Sequence, residues 1–138
     1  MVITENISIG THGKTDIIDI TDQVRNKIEG SNLTDGTVTI FVSGSTAGIT
    51  TIEYEPGLIS DFKRLWNDIA PDNIHYDHNE RWGDGNGYSH VRASLLGASL
   101  TIPFSRNSLL LGTWQQIIVV DFDNRARQRN IILQIMGE

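Results

Sequence analysis

The residues best equipped for chemistry sit close together in the segment from His75 to His90, which holds three of the chain's four histidines alongside Asp77, Glu80 and Asp84. Imidazole is the one side chain whose ordinary pKa lies near neutrality, and neutral imidazoles with a carboxylate form a common ligand set for zinc or another divalent ion. The same segment runs Trp82-Gly83-Asp84-Gly85-Asn86-Gly87 and holds almost no aliphatic residue, so it reads as a loop that presents side chains. Its glycines allow backbone N–H groups to turn inward around an anion such as phosphate, although neither a GxGxxG fingerprint nor a P-loop is present. Of the histidines, His78 and His90 are the strongest candidates, while His75 and His12 read as surface residues.

Elsewhere, Glu53 follows a β-branched run, where it is either a buried carboxylate that needs a partner or a solvated edge charge, and Asp61 lies at the border of an apolar helix face, from which it can reach into a site. Gly112-Thr113-Trp114-Gln115 breaks a strand-like run, and a glycine there marks a bulge or a close approach by a ligand. Arg125, Arg127 and Arg129 form the only basic cluster and are candidate phosphate contacts.

The elements that must position these groups come from periodicity. Residues 2–9 and 15–20 read as the two strands of a hairpin, and 22–29 as a short helix capped by Thr21. Residues 38–42 alternate as a strand, Ser43 to Gly48 form a turn or ligand-facing bend, and 49–55 resume as strand. Pro56 opens the strongest helix, with Leu58, Phe62, Leu65, Trp66 and Ile69 on one face, and Ser89 caps another that Gly97 stops. Strands at 98–103, 109–122 and 130–136 follow. Consecutive strands joined by short polar turns favour antiparallel pairing, which makes residues 1–138 a compact single α+β domain: a mainly antiparallel or mixed sheet packed with two or three helices.

Composition narrows the function classes. The net charge of -6 argues against nucleic acid, and the absence of cysteine leaves imidazole and carboxylate as the metal ligands. With no apolar run long enough to span a bilayer and no leader-like start, the expected setting is cytoplasmic, with no membrane partner.

Taken together, Ser45-Thr46-Ala47-Gly48-Ile49-Thr50, Ile52-Glu53 with Asp61 beyond, Ser89-His90-Val91-Arg92-Ala93-Ser94-Leu95-Leu96-Gly97, Gly112-Thr113-Trp114-Gln115 and the terminal Gly137-Glu138 resemble the YjbQ family, the secondary thiamine-phosphate synthase enzymes. The resemblance covers nearly the whole chain. It implies a homotrimer with sites near subunit boundaries and a polar, metal-binding pocket onto which Glu53, Asp61, His78, His90, Thr113, Trp114 and Gln115 map. The chain departs from the family pattern at Gly44, where many bacterial members carry histidine, at Ile52, where they carry asparagine, and at Tyr88, where close relatives read His-Ser-His. It therefore resembles a divergent branch.

These readings give one expected activity: a transferase joining hydroxymethylpyrimidine diphosphate to a thiazole phosphate with release of pyrophosphate. Glu53, Asp61 and His90 are the expected catalytic groups, and His78, His90 and Glu53 the ligands of zinc or magnesium. Trp82, Asp84, Asn86, Thr113, Trp114, Gln115 and Arg127 are the expected contacts to a small phosphorylated substrate. The alternatives are a non-catalytic metal- or anion-binding trimer and a metal-dependent hydrolase.

Overall fold

The computed structural model describes residues 1–138. In chain order the elements are β1 (Val2–Thr11), β2 (Asp16–Asp19), α1 (Thr21–Ser31), β3 (Gly36–Ser43), β4 (Ala47–Ile52), α2 (Pro56–Ile69), α3 (Asp77–Trp82), α4 (Gly87–Leu96), β5 (Ser99–Ser105), β6 (Ser108–Leu109), β7 (Gln116–Asp121) and β8 (Arg127–Gly137). They build two antiparallel sheets, one ordered β1-β8-β3-β5-β6 and one ordered β2-β7-β4. The α+β architecture expected from the sequence is present, with four helices rather than two or three.

Alternation along β7 and β8 explains how the layers stack. Ile117 and Val119 join Ile131, Leu133 and Ile135 in the core between the two sheets, which α1 closes with Val24 and Ile28. Ile118 and Val120 point the other way, with Phe122 beyond them, into a second core under α2 and α4. The small sheet is thus covered on both faces, which is why β7 is an unbroken apolar run. Trp66 anchors α2 there, its ring centroid 4.8 Å from that of Phe122.

Several local readings change. The first two strands are not a hairpin: β1 pairs with β8 and β2 with β7. Gly13, Lys14 and Thr15 are all left-handed, and a Cβ at Gly13 would lie 2.5 Å from the Arg125 carbonyl oxygen, so this turn throws the chain from one sheet to the other. The run at 109–122 is two strands, with residues 110–115 an exposed loop rather than a bulged strand, because Gln115 folds back and accepts from the Gly112 N–H. On α2 the buried face is Ile59, Phe62 and Trp66, while Leu65 and Ile69 are exposed. Its start is capped by the Glu55 carboxylate, which accepts from the N–H groups of Gly57 and Leu58 and is held below the usual carboxylate range by them. The polar segment contains α3, closed by left-handed Gly83. Ser89 lies inside α4 rather than capping it, buried and donating to the Phe122 carbonyl. Likewise Thr21 opens α1 as its first residue, after Ile20.

Candidate functional site

The inter-sheet core does not end in apolar residues. Asp121 continues the face of Ile117 and Val119, Arg129 continues that of Ile131 and Leu133, and the two meet as a buried pair. Arg129 donates from Nε to Asp121 Oδ2 and from Nη2 to Asp121 Oδ1, both at 2.8 Å, and from Nη2 to Thr46 Oγ1 at 2.6 Å. Thr11 Oγ1 also donates to Asp121. Beside it, buried Asp123 accepts from Arg127 Nε at 2.8 Å, from Thr46 Oγ1 and from Asn86 Nδ2. Burial alone would raise both carboxyls, but these donors outweigh it and hold both below the usual carboxylate range.

Above this layer opens a cavity of about 510 Å³ lined by Gly44, Ser45, Thr46, His78, Trp82, Asp84, Asn86, His90, Arg127 and Arg129. The bend after β3, the α3–α4 segment and the start of β8 supply its three walls. A Cβ at Gly44 would lie 2.7 Å from Arg129 Nη1, so a side chain there would have to displace that guanidinium. His78 and His90 face each other with ring centroids 4.4 Å apart. Burial, and then the neighbouring His78, lowers the pKa of His90, so its imidazole is neutral at pH 7. Arg127 donates only through Nε, and Arg129 Nη1 donates to nothing, so guanidinium N–H groups remain available beside a neutral imidazole. Such a surface is suited to an anion with several oxygen atoms.

The structure brings together His78, His90, Trp82, Asp84, Asn86, Arg127 and Arg129 from the candidate site residues read in the sequence. It does not bring the others to them within one chain. Glu53 follows β4, whose Ala47 end pairs with Asp121 and whose Ile52 end pairs with Gln116. Six strand residues separate the two ends by roughly 20 Å. There Glu53 shares one hollow with Asp19 and Trp114 and another with Thr113 and Gln115, and Gln115 donates to Thr51 Oγ1 at 3.1 Å. Asp61 is exposed on α2 and paired with Arg64, one turn away. Arg125 is exposed and outside the cavity. Asp121 and Asp123, the groups that hold the arginines, were not among the residues singled out from sequence. The usable signal was two carboxylates at alternate positions closing an apolar run.

The ligand set His78, His90 and Glu53 therefore does not form within one chain. His78 Nδ1 is buried without a hydrogen-bond partner and lies 3.9 Å from Asp84 Oδ1, with the His90 ring opposite, but these three do not bring their ligand atoms together as a metal site. The trio whose ligand atoms do converge, His75, Asp77 and Glu80, is exposed and separate from the cavity.

The depressed carboxyls make a pH prediction. A group whose folded pKa lies below its unfolded value stabilises the fold above the unfolded pKa, about 3.9 for aspartate, and loses that contribution as pH falls through the folded one. Urea midpoints should fall between pH 5 and pH 3, and fall less in Asp121→Asn. Equal losses in the two proteins would contradict the role given to Asp121.

Comparison with known proteins agrees with this architecture. The sequence model of the family described as UPF0047 protein YjbQ-like matches residues 5–138. A UPF0047 protein of Methanothermobacter thermautotrophicus is 35% identical over 99% of this chain and 94% of its own length. YugU of Bacillus subtilis, another UPF0047 protein, is 31% identical over 96% of this chain and 98% of its own. A crystal structure from Sulfolobus solfataricus, described as a YbjQ-like protein of unknown function, aligns with a TM-score of 0.95 at 34% identity, covering 100% of this chain and 99% of that one. A second, from Clostridium acetobutylicum and described as an uncharacterized conserved protein of the yjbq/upf0047 family, aligns at 0.87 with 33% identity over 96% and 99%. No helix is long and apolar enough to cross a membrane. By sequence and by fold, then, this chain belongs to the YjbQ (UPF0047) family.

Proposed function

We propose that the cavity binds a small phosphorylated molecule, and that the protein is a thiamine-phosphate synthase-like transferase. The observation that carries this reading is the pair Arg127 and Arg129, fixed from beneath by buried carboxylates and left with free N–H groups in a cavity that also holds two imidazoles. In the transfer, the C–O bond of a pyrimidine-methyl diphosphate breaks, pyrophosphate leaves with the electron pair, and the ring nitrogen of a thiazole phosphate forms the new C–N bond. Arg127 and Arg129 hold the diphosphate and stabilise charge on the departing group. Neutral His90 accepts or supplies a hydrogen bond at the leaving oxygen, and the exposed Trp82 lines the cavity. A divalent ion arriving with the diphosphate would add Lewis-acid stabilisation of its oxygens, with His78 and Asp84 as the nearest protein ligands. In this reading Gly44, where the resemblance implies an imidazole in many members, leaves room for Arg129.

In this reading Glu53 and Thr113–Gln115 reach the cavity from a neighbouring copy in a homotrimer. Support comes from the outer face of the large sheet. No charged residue points outward from β1, β8, β3 or β5, in a chain with 11 basic and 17 acidic residues. Its rows are Thr4-Gln134-Thr39-Thr101 and Asn6-Ile132-Phe41-Ser99, hydroxyls and amides around an apolar centre. Depletion of charge marks the core of an interface. Four strands about 4.8 Å apart and about 30 Å long offer roughly 600 Å², close to the ~800 Å² that each partner contributes to a standard interface. Thr39→Glu with Thr101→Glu should convert the assembly to monomers in sedimentation velocity, and an unchanged mass would remove this face from the interface. The transfer itself is tested with purified protein, zinc or magnesium and the two substrates: absence of thiamine phosphate above background rejects the transferase.

A further inference from the structure

A smaller cavity, of about 150 Å³, is lined by Lys14, Thr15, Asn67, Asp72, Tyr88 and Arg92 and shares no residue with the one described above. Tyr88 and Arg92 lie one turn apart on α4, with His90 on the opposite side of the helix. The charge in this smaller cavity is unbalanced at depth. Arg92 is 3% exposed, and its hydrogen bonds go only to neutral oxygens of Ala70, Thr15 and Asn67, which leaves an N–H free on each terminal nitrogen. Tyr88 is 6% exposed, yet its hydroxyl makes no hydrogen bond. Thr15 Oγ1 accepts from Arg92 and donates to nothing, and the Lys14 ammonium is unpaired. The turn that supplies Lys14 and Thr15 holds both at positive φ, 57° and 63°, a conformation that is costly for a β-branched threonine and that collects at binding sites.

We propose that this cavity is a second ligand site, which takes the carboxylate of a small monocarboxylic acid. A buried cation without a counter-charge is costly, and a bound anion relieves that cost. Lys14 and Arg92 against the exposed Asp72 leave a single net positive charge in the lining, which a monoanion balances. A phosphate dianion would instead place excess negative charge beside Asp72. The free donors come from two segments, the turn at Lys14 and Thr15 and the helix α4, an arrangement suited to a group with two oxygen atoms. The volume is several times the ~30 Å³ of one water molecule, so an acid of acetate size fits, whereas a monatomic ion leaves most of these donors unmet. Lys14 N–H donates to the Asp123 carbonyl at 2.6 Å, and Arg92 shares α4 with His90, so the ligand sits behind the elements that frame the larger cavity. Nothing in the site depends on what the larger cavity binds.

The probe is sodium acetate, titrated into the intact chain at low ionic strength and followed by amide chemical shifts in NMR. Saturable shifts are expected at Lys14, Thr15, Tyr88 and Arg92. Lys14→Gln should weaken the affinity about tenfold and Tyr88→Phe about fivefold, the worth of a charge-assisted and of a neutral hydrogen bond. Asp72→Asn should strengthen it, because a competing charge is removed, and Arg127→Met in the larger cavity should leave it unchanged. Lys14 and Asp72 are exposed and Tyr88→Phe removes one hydroxyl, so the fold is retained, which the amide spectra check directly. Absence of saturable shifts at these residues overturns the site, as does an affinity unchanged in both Lys14→Gln and Tyr88→Phe, or a weaker one in Asp72→Asn or Arg127→Met. Chloride binding as tightly as acetate overturns the assignment to a carboxylate.

Discussion

Replacing Arg129 with methionine should destabilise the fold by about 3–5 kcal/mol, because it strands a carboxylate that has no route to water. Asp121 is fully buried and receives two of its hydrogen bonds from this one guanidinium. The backbone N–H of Asp123 and the Thr11 hydroxyl would remain as donors, but neither neutralises the charge. Arg129 is also what ties the bend at Thr46 to the end of β8, so its loss removes that tether as well. Equilibrium urea unfolding measures the effect. The double variant Arg129→Met with Asp121→Leu should recover much of the loss, since a matched apolar pair is often as stable as the buried ion pair it replaces. A loss under about 1 kcal/mol in the single variant would mean that Asp121 is not held as a charge.

Replacement of Arg92 with methionine should cost about 3 kcal/mol or more, for a different reason. Arg92 is 3% exposed and has no carboxylate in hydrogen-bond range. It donates to the Ala70 carbonyl and Thr15 Oγ1 at 2.9 Å and to Asn67 Oδ1 at 3.2 Å, and its guanidinium lies 4.9 Å from the Tyr88 ring centroid. One side chain thereby joins the end of α2, the left-handed turn before β2 and helix α4. Its removal leaves two buried acceptors unsatisfied, the Ala70 carbonyl and Thr15 Oγ1, each costing about 1–3 kcal/mol. Lysine should restore only part of the loss, because its ammonium cannot present a planar fork of donors. Since α4 carries His90, Arg92 is a positioning residue for the cavity as well as a structural one. If lysine restored full stability in urea unfolding, the planar geometry would be irrelevant.

How far the sequence anticipates this structure depends on whether the signal is local. Alternation and β-branching identify most strands, and the amphipathic spacing from Pro56 identifies α2, because each reports burial of one face. Pairing is not local. The resemblance of residues 2–9 and 15–20 to a hairpin rests on proximity along the chain, whereas the left-handed turn at Gly13–Thr15 separates them into different sheets. Two consecutive non-glycine residues at positive φ carry no compositional warning. The site divides along the same line. His78, His90, Asp84 and Asn86 announce themselves by residue type, and all line the cavity. Glu53 and Trp114 announce themselves equally well, yet the length of β4 places them at its other end. Asp121 and Asp123 look like the polar end of a strand, and only the meeting of two sheets makes them the base of the site.

The central claim is that Arg127 and Arg129 form an anion site, and calorimetric titration with orthophosphate at low ionic strength tests it most directly. Saturable binding at one site per chain is the expected result. In Arg127→Met, which leaves Asp123 still bonded to Asn86, Thr46 and the Asn124 N–H, affinity should fall about 10- to 100-fold, the worth of a charge-assisted hydrogen bond. Orthophosphate affinity unchanged by Arg127→Met in a folded protein would contradict the account.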